Sequence, residues 1–279
     1  MTSPDPEWQT ANQANWDERV GIHLLARSTY DLTPLRAGTA RLDPIATAIL
    51  GPVAGLRVLH LQCHFGRDTL TLAQQHAELV GLDFSPPAIA AAESLADELR
   101  LTDRARFVRA NIYDAIAAVP GRASFDRVFV SWGALCWLPD IPSWARIVAH
   151  FLKPGGYLAL AEAHPAAYVF DSRTGTSPDG RPGWFMPYLG REPLVEDRTE
   201  DYADPDARLR NTRTWEWLHP LSDVVTALID AGLRIDRFQE HGHIGWQMFS
   251  NLVEDGPEGY RWPDRPWLPL SYSLRAAKP

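Results

Sequence analysis

The order of apolar and polar residues between Leu56 and Gly156 alternates between two patterns. Short runs of β-branched and large apolar residues are each followed by a stretch in which apolar residues recur at helical spacing. The first pattern is typical of buried strands and the second of amphipathic helices. Because parallel strands need long crossovers, the alternation predicts a mostly parallel sheet with helices on both faces. The predicted strands are Arg57–Leu61, Glu78–Leu82, Arg106–Val108, Phe125–Val130, Tyr157–Ala161, Leu233–Phe238 and Leu270–Arg275.

Local signals predict where several helices begin and end. Ser85 precedes Pro86 and an alanine-rich run, so we expect it to cap a helix that continues to Arg100. We likewise expect Ser222 to cap a helix whose apolar run ends at Gly232. A helix through Trp144 is closed by the turn Lys153–Gly156.

Two segments interrupt this regularity. Residues 1–45 lack strand–helix alternation, and residues 164–220 are rich in Pro, Gly, Asp and aromatic residues without a helical period. Two weakly alternating runs in the second segment, Val195–Tyr202 and Arg210–Leu218, predict a hairpin. We therefore expect an N-terminal cover over residues 1–45 and a domain over residues 46–279, with a lid inserted after the fifth strand at about 164–220.

Composition narrows the class of protein. The chain has 279 residues, 45% of them hydrophobic, and a formal net charge of −8. An acidic surface repels phosphate backbones, so we expect no nucleic-acid partner. The two cysteines, Cys63 and Cys136, cannot form a disulfide framework, and neither a secretory signal nor an apolar run of about 18 residues is present. These features predict a soluble, cytoplasmic protein without a membrane partner.

The loops after the first four strands carry the candidate chemistry. In an open parallel sheet, ligands bind beyond the carboxyl ends of the strands. Asp83 directly follows the second predicted strand, 17 residues after Gly66, a position from which a carboxylate can accept hydrogen bonds from ribose hydroxyls. Asn111 and its apolar neighbour Ile112 follow the third strand and suit an adenine edge and face. With the loop after the fourth strand, these residues predict a nucleoside pocket.

The glycine content of the first loop disfavours a pyrophosphate-binding site. A dinucleotide fingerprint needs three spaced glycines so that backbone amides can approach a pyrophosphate. Here Gln62 and His64 stand where small residues would be required, and only Gly66 remains. No Walker-type Gly-Lys-Ser/Thr is present. A nucleoside with a non-phosphate tail fits this loop better.

Five stretches in this order resemble the motifs of class I S-adenosylmethionine-dependent methyltransferases, in the branch of small-molecule enzymes similar to quinone-biosynthesis methyltransferases. The resemblance covers roughly residues 57–163. It implies a Rossmann-like, doubly wound α/β fold with a mostly parallel seven-stranded sheet, and S-adenosyl-L-methionine as cofactor. The matching stretches are Val58–Asp68, Val80–Ser85, Phe107–Tyr113, Phe125–Val130 and Leu152–Leu158.

The resemblance also implies roles for individual residues. Asp83 holds the ribose, Phe84 flanks the adenine, and Arg36 is a candidate partner for the cofactor carboxylate. The family usually has an acid at the position of His60 and glycines at those of Gln62 and His64, so the first loop departs from the pattern. The cofactor-binding residues expected are Leu61, Gln62, Cys63, Gly66, Asp83, Phe84, Asn111, Ile112, Ser131 and Trp132.

Methyl transfer from a sulfonium is an in-line displacement that depends mainly on alignment, and a protein base is needed only where the nucleophile loses a proton. His164, just past the fifth strand, is the candidate base, and Glu162 is the candidate group that tunes it. The competing interpretations are that His164 pins the start of the lid and that Glu162 caps a loop. His241 and His243 have the only spacing that suggests a metal, and we expect no metal site.

The aromatic residues concentrated in the two covers favour a flat acceptor. The function expected is methyl transfer from S-adenosyl-L-methionine to O, N or C of a small aromatic or heteroaromatic acceptor in secondary metabolism, by a monomer or a homodimer. One alternative is a nicotinamide-dependent oxidoreductase with a degenerate glycine loop. Another is a module that binds the cofactor without transferring methyl.

Overall fold

The structure, a computed structural model, describes residues 6–25, 30–171 and 183–279. The helices in these ranges are α1 (Pro6–His23), α2 (Thr33–Arg36), α3 (Pro44–Leu50), α4 (Arg67–Gln74), α5 (Pro86–Glu98), α6 (Ala115–Ala118), α7 (Ile141–Phe151) and α8 (Leu221–Asp230). The strands are β1 (Arg57–Leu61), β2 (Glu78–Asp83), β3 (Ala105–Arg109), β4 (Phe125–Ser131), β5 (Leu152–Ala163), β6 (Leu194–Asp197), β7 (Arg213–Glu216), β8 (Arg234–His241), β9 (His243–Ile244), β10 (Val253–Glu254), β11 (Tyr260–Arg261) and β12 (Ser271–Ala277).

Seven strands form one sheet in the order β3-β2-β1-β4-β5-β12-β8. The first five run parallel, and β12 pairs antiparallel with both β5 and β8. The predicted doubly wound, mostly parallel seven-stranded sheet is therefore confirmed. The strand order reverses at β1, which lies between β2 and β4, and such a switch point is where an open α/β sheet binds its ligand.

The sheet is covered by helices on both faces because its strands are apolar on both sides. One buried cluster packs α7 and α8 against the sheet and includes Trp144, Phe151 and Leu228. The opposite cluster packs α3, α4 and α5 and includes Leu50 and Leu70. This two-sided burial fixes the sheet and leaves its carboxyl edge as the place for a cavity.

Of the two predicted helix caps, the one at Ser85 is confirmed and the one at Ser222 is not. The Ser85 side chain accepts a hydrogen bond from the Ala88 backbone N–H at 3.3 Å, and α5 begins at Pro86, as expected. The cap predicted at Ser222 is wrong, because α8 begins one residue earlier, at Leu221. Its N-cap position is Pro220, which has no side-chain acceptor. Pro220 fixes a backbone angle compatible with the start of a helix, so the hydroxyl cap is not needed.

The two covers meet above the carboxyl edge of the sheet. The predicted hairpin is present as β6 paired antiparallel with β7. Helix α1 lies against it: Asn12 donates to the Trp215 carbonyl at 2.9 Å and accepts from the Trp215 N–H at 2.8 Å. Residues 1–5 and 26–29 of the N-terminal cover, and 172–182 of the lid, lie outside the described residues. The division at residues 45 and 46 stays a prediction.

Candidate active site

A cavity of about 380 Å³ opens at the carboxyl edge of the sheet. It extends over the ends of β1, β2, β3 and β4, and its other wall comes from α1 and the lid. The residues that line it are Trp8, Asn12, Trp16, Tyr30, Asp43, His60, Gln62, Cys63, His64, Phe65, Arg67, Asp68, Leu82, Asp83, Phe84, Ala110, Asn111, Ile112, Ser131, Trp132, Gly133, Ala134, Trp137, Leu138, Tyr202, Gly245 and Trp246.

The loop after β1 has a glycine-type backbone although it contains one glycine. Gln62, His64 and Gly66 have φ angles of 56°, 52° and 76°. Left-handed backbone costs a residue with a Cβ about 1–2 kcal/mol. A Cβ on Gly66 would lie 2.7 Å from the Phe107 ring, so that position requires glycine. The loop therefore has a left-handed backbone at three positions, although two of these residues carry side chains.

The side chains of Gln62 and His64 contact other parts of the cavity wall. Gln62 Nε2 donates to the Ala134 carbonyl at 2.8 Å, which ties the β1 loop to the β4 loop. The His64 ring lies 5.3 Å from Trp16 of α1 and 4.6 Å from Phe65. Burial lowers the pKa of His64 well below its ordinary value, so the ring is neutral at pH 7.

His60 is also neutral. Its Nδ1 lies 2.8 Å from Thr69 Oγ1, and burial lowers its pKa to about 3. A neutral imidazole therefore occupies the position where the resembled family has an acid. Neither histidine of the cavity supplies a positive charge.

Asp83 is the acid at the end of β2 and is buried beneath the cavity, with 6% of its surface exposed. Its carboxylate accepts hydrogen bonds from the backbone N–H groups of His64 at 2.8 Å and Ser85 at 3.0 Å. Burial raises its pKa to about 6, although both hydrogen bonds act in the opposite direction. The group is therefore mostly ionised at pH 7, with its oxygens at the cavity wall.

The β3 end of the cavity suits a flat heterocycle. Asn111 Oδ1 accepts from the Tyr113 N–H at 2.9 Å, which fixes the orientation of the side-chain amide at the cavity edge. Ile112 is buried beside it, and Phe84 and Leu138 complete an apolar surface. This combination of a fixed amide and apolar faces can bind a purine by its edge and its ring.

The loop after β4 is braced by Glu162. This buried carboxylate accepts hydrogen bonds from the backbone N–H groups of Gly133 at 2.7 Å, Ala134 at 2.6 Å and Leu135 at 2.8 Å. Burial raises the pKa of Glu162, and these hydrogen bonds oppose the rise. Glu162 therefore acts on the β4 loop, as the loop-capping interpretation has it, and no hydrogen bond joins it to His164 among the described residues.

His164 lies outside the lining of the cavity. Its Nδ1 accepts from the Ala166 N–H at 3.1 Å, and its Nε2 lies 2.9 Å from Glu240 Oε1. Since Nδ1 is an acceptor, the proton is on Nε2 and is donated to Glu240. The structure thus does not bring the candidate base to the cofactor loops. Its position agrees with the alternative that it pins the start of the lid.

Of the ten cofactor-binding residues expected, eight line the cavity. Leu61 and Gly66 do not: Leu61 is fully buried in the sheet core, and Gly66 lies behind the loop. Arg36 is an incorrect expectation, because its guanidinium pairs with Glu98 at 2.7 Å on the surface and does not line the cavity. Helix α2, which carries Arg36, packs beside α4 and away from the loop tips.

Several cavity residues were not expected from the sequence. Arg67 and Asp68 begin α4, line the cavity and pair with each other at 3.2 Å between Nη1 and Oδ1. Their position directly after Gly66 could have indicated that they line the cavity. Trp8, Asn12 and Trp246 reach the cavity from distant segments, and no local motif points to them.

The possible metal pair His241 and His243 does not form a site. His241 Nε2 lies 2.9 Å from Ser273 Oγ. Within the described ranges, no group of three or more His, Cys, Asp or Glu side chains could hold a metal ion. Nor does any helix in those ranges combine the length and the apolar character needed to cross a membrane.

Comparison with known proteins relates part of the chain to methyltransferases. Residues 59–158 match the model of a methyltransferase domain. An uncharacterized methyltransferase of Synechocystis sp. is 33% identical over 130 residues, which are 46% of this chain and 56% of that protein. The ubiquinone biosynthesis O-methyltransferase of Xanthomonas euvesicatoria is 32% identical over 141 residues, 49% of this chain and 55% of that protein. The chain thus spans little more than half the length of these curated relatives.

The fold agrees with the sequence match. A crystal structure of an S-adenosylmethionine-dependent methyltransferase from Mesorhizobium loti superposes with a TM-score of 0.60 at 23% identity. The superposition covers 84% of this chain and 96% of the other. The similarity therefore extends over most of the sheet domain and identifies its fold.

Proposed function

We propose that this chain is a class I S-adenosylmethionine-dependent methyltransferase. It transfers the methyl group of that cofactor to O, N or C of a small aromatic or heteroaromatic acceptor in secondary metabolism. The observation that carries the proposal is the position of Asp83. A buried, mostly ionised carboxylate lies between the end of the cavity lined by Asn111 and Ile112 and a loop with a glycine-type backbone. We place the reaction in the cytoplasm.

The nucleoside part of the cofactor fits the β2 and β3 ends of the cavity. Asp83 would accept hydrogen bonds from the ribose hydroxyls, and Asn111 would meet the adenine edge. Phe84 and Ile112 would contact its faces. Each of these residues lines the cavity: Asp83 and Phe84 lie at the end of β2, and Asn111 and Ile112 follow β3.

Arg67 and Asp68 offer complementary charges for the amino-acid tail of the cofactor. Both lie at the start of α4, directly after the β1 loop. Arg67 Nε has no hydrogen-bond partner among the described residues, so it can bind a carboxylate, and Asp68 can bind an ammonium. This pair takes the role that the sequence suggested for Arg36.

The bound cofactor supplies an electrophilic methyl group on a sulfonium. The residues of this chain contribute alignment and exclusion of water, since α1 and the lid cover the cavity. His60 and His64 have lowered pKa values and are weak bases. An acceptor whose nucleophile needs no strong base is therefore the best fit.

Labelled-methyl turnover tests the proposal. The protein would be incubated with S-adenosylmethionine carrying a labelled methyl group and a panel of indoles, phenols and amines. We expect label in at least one acceptor, with equimolar S-adenosylhomocysteine formed. Cofactor binding without transfer to any member would favour the non-transferring alternative.

A further inference from the structure

The cavity is longer than the part assigned to the cofactor. It passes over β3, β2, β1 and β4, in the order of the sheet, and continues to Gly245 and Trp246 after β9. Asn111 and Asp83 occupy the β3 and β2 ends, and Arg67 follows β1. The remaining end, between the β4 loop and Trp246, is left for a second ligand.

The wall of this remaining end is Trp132, the residue directly after β4. Its φ is 47°, a left-handed backbone conformation that is unusual and strained for a bulky residue. Such strain persists only where the surroundings impose it, and it concentrates at functional sites. The backbone of Trp132 donates to the Ala161 carbonyl at 2.8 Å, and Glu162 holds the three amides that follow.

The indole of Trp132 is also fixed. Its Nε1 donates to Asp43 Oδ2 at 2.6 Å. The other oxygen of Asp43 caps α3 by accepting from the N–H groups of Ile45 and Ala46, so this carboxylate is itself immobilised. Hydrogen bonds at the backbone and at the indole therefore fix the Trp132 ring at the cavity wall.

The ring of Trp246 is nearly perpendicular to that of Trp132. The ring centroids of Trp132 and Trp246 are 5.8 Å apart, and the planes meet at 86°. Trp246 is 37% exposed, so the corner between the rings opens toward solvent. A Cβ built on the neighbouring Gly245 meets no atom within 4 Å, which leaves room beside the corner.

We infer that the acceptor is a flat aromatic molecule that binds in the corner formed by Trp132 and Trp246, stacked on one ring and in edge contact with the other. Aromatic pairs prefer these two arrangements. The two tryptophans thus determine which acceptors are used. This inference rests on the proposed function, because it assigns the cofactor to the opposite end of the cavity.

Calorimetry on protein saturated with S-adenosylhomocysteine tests the corner. The probes are 1-naphthol, which is flat, and decahydro-1-naphthol, its saturated counterpart of similar size. We expect 1-naphthol to bind at least threefold more tightly. Replacing Trp246 by Leu should weaken the binding of 1-naphthol by about three- to tenfold. It should leave the affinity for S-adenosylhomocysteine within about twofold of the wild type.

Two further variants provide the controls. Trp267→Leu removes an indole that is 62% exposed and outside the cavity, and it should change neither affinity. Trp132→Gly relieves the left-handed backbone, so it should fold, and it should lose the preference for the flat probe.

The possible results separate the two claims. Failure to bind S-adenosylhomocysteine would contradict the proposed function itself. Binding of S-adenosylhomocysteine without a preference for 1-naphthol, or with equal losses in Trp246→Leu and Trp267→Leu, would overturn the aromatic corner alone.

Discussion

At the scale of single residues, Asp83 has two opposing requirements. Binding a ribose needs a carboxylate that is ionised and partly shielded from water, and the shielding itself disfavours ionisation. The His64 and Ser85 amides offset part of this penalty, and the resulting pKa is about 6. The cofactor site therefore titrates just below neutral pH.

We predict that the affinity for S-adenosylhomocysteine is constant above about pH 7 and falls by up to about tenfold per pH unit below pH 6. The sign follows because the protonated carboxyl loses an acceptor for the ribose hydroxyls. Dissociation constants measured by calorimetry from pH 5 to pH 8 check this. The Asp83→Asn variant should show weak binding with a flat profile, and equal wild-type affinity at pH 5 and pH 8 would contradict the assignment.

The site residues that the sequence predicts are those placed by the strand next to them in the chain. Asp83 ends β2, Asn111 lies two residues after β3 and Trp132 directly follows β4, so the strand ends place them at the cavity edge. His164 also follows a strand, but its direction is set by Glu240, 76 residues away along the chain. The contact of Trp132 with Trp246 likewise depends on a long-range fold that no local pattern encodes.

At the scale of elements, the alternation of strands and helices was predictable because their buried faces are apolar. Helix α1 lacks such a stripe. Apart from Trp8 and Val20, its buried residues are polar: Asn12, Asn15, Arg19 and His23 are each less than 8% exposed. These side chains hydrogen-bond to the lid, including an ion pair of 2.6 Å between Arg19 and Asp201. A helix of this kind is stabilised by specific partners, so a hydrophobic pattern could not reveal where it packs.

This packing predicts a stability effect. Asn12→Ala leaves the N–H and carbonyl of Trp215 without their side-chain partner, which should lower the free energy of unfolding by about 1–3 kcal/mol. Urea denaturation measures the change. Gln9→Ala on the same helix, with no hydrogen bond to the lid among the described residues, should cost less than about 0.5 kcal/mol. Equal effects of the two substitutions would mean that the Asn12 contact does not hold the covers together.

At the scale of the whole molecule, two segments distant in sequence close over one cavity. Residues Trp8, Asn12 and Trp16 of α1 and Tyr202 of the lid line it together with the strand-end loops. The net charge of −8 agrees with a small-molecule substrate and disfavours nucleic acid. The sheet supplies the strand-end loops of the cavity, and the covers close over it.

The central claim is that the cavity binds the methyl-transfer cofactor through Asp83, and one calorimetric titration tests it most directly. Wild-type protein and Asp83→Asn would be titrated with S-adenosylhomocysteine, NAD and NADP at pH 7.5. We predict binding of S-adenosylhomocysteine only, weakened by about 1–3 kcal/mol in the variant. Tight binding of a nicotinamide nucleotide alone, or unchanged affinity in Asp83→Asn, would contradict the account.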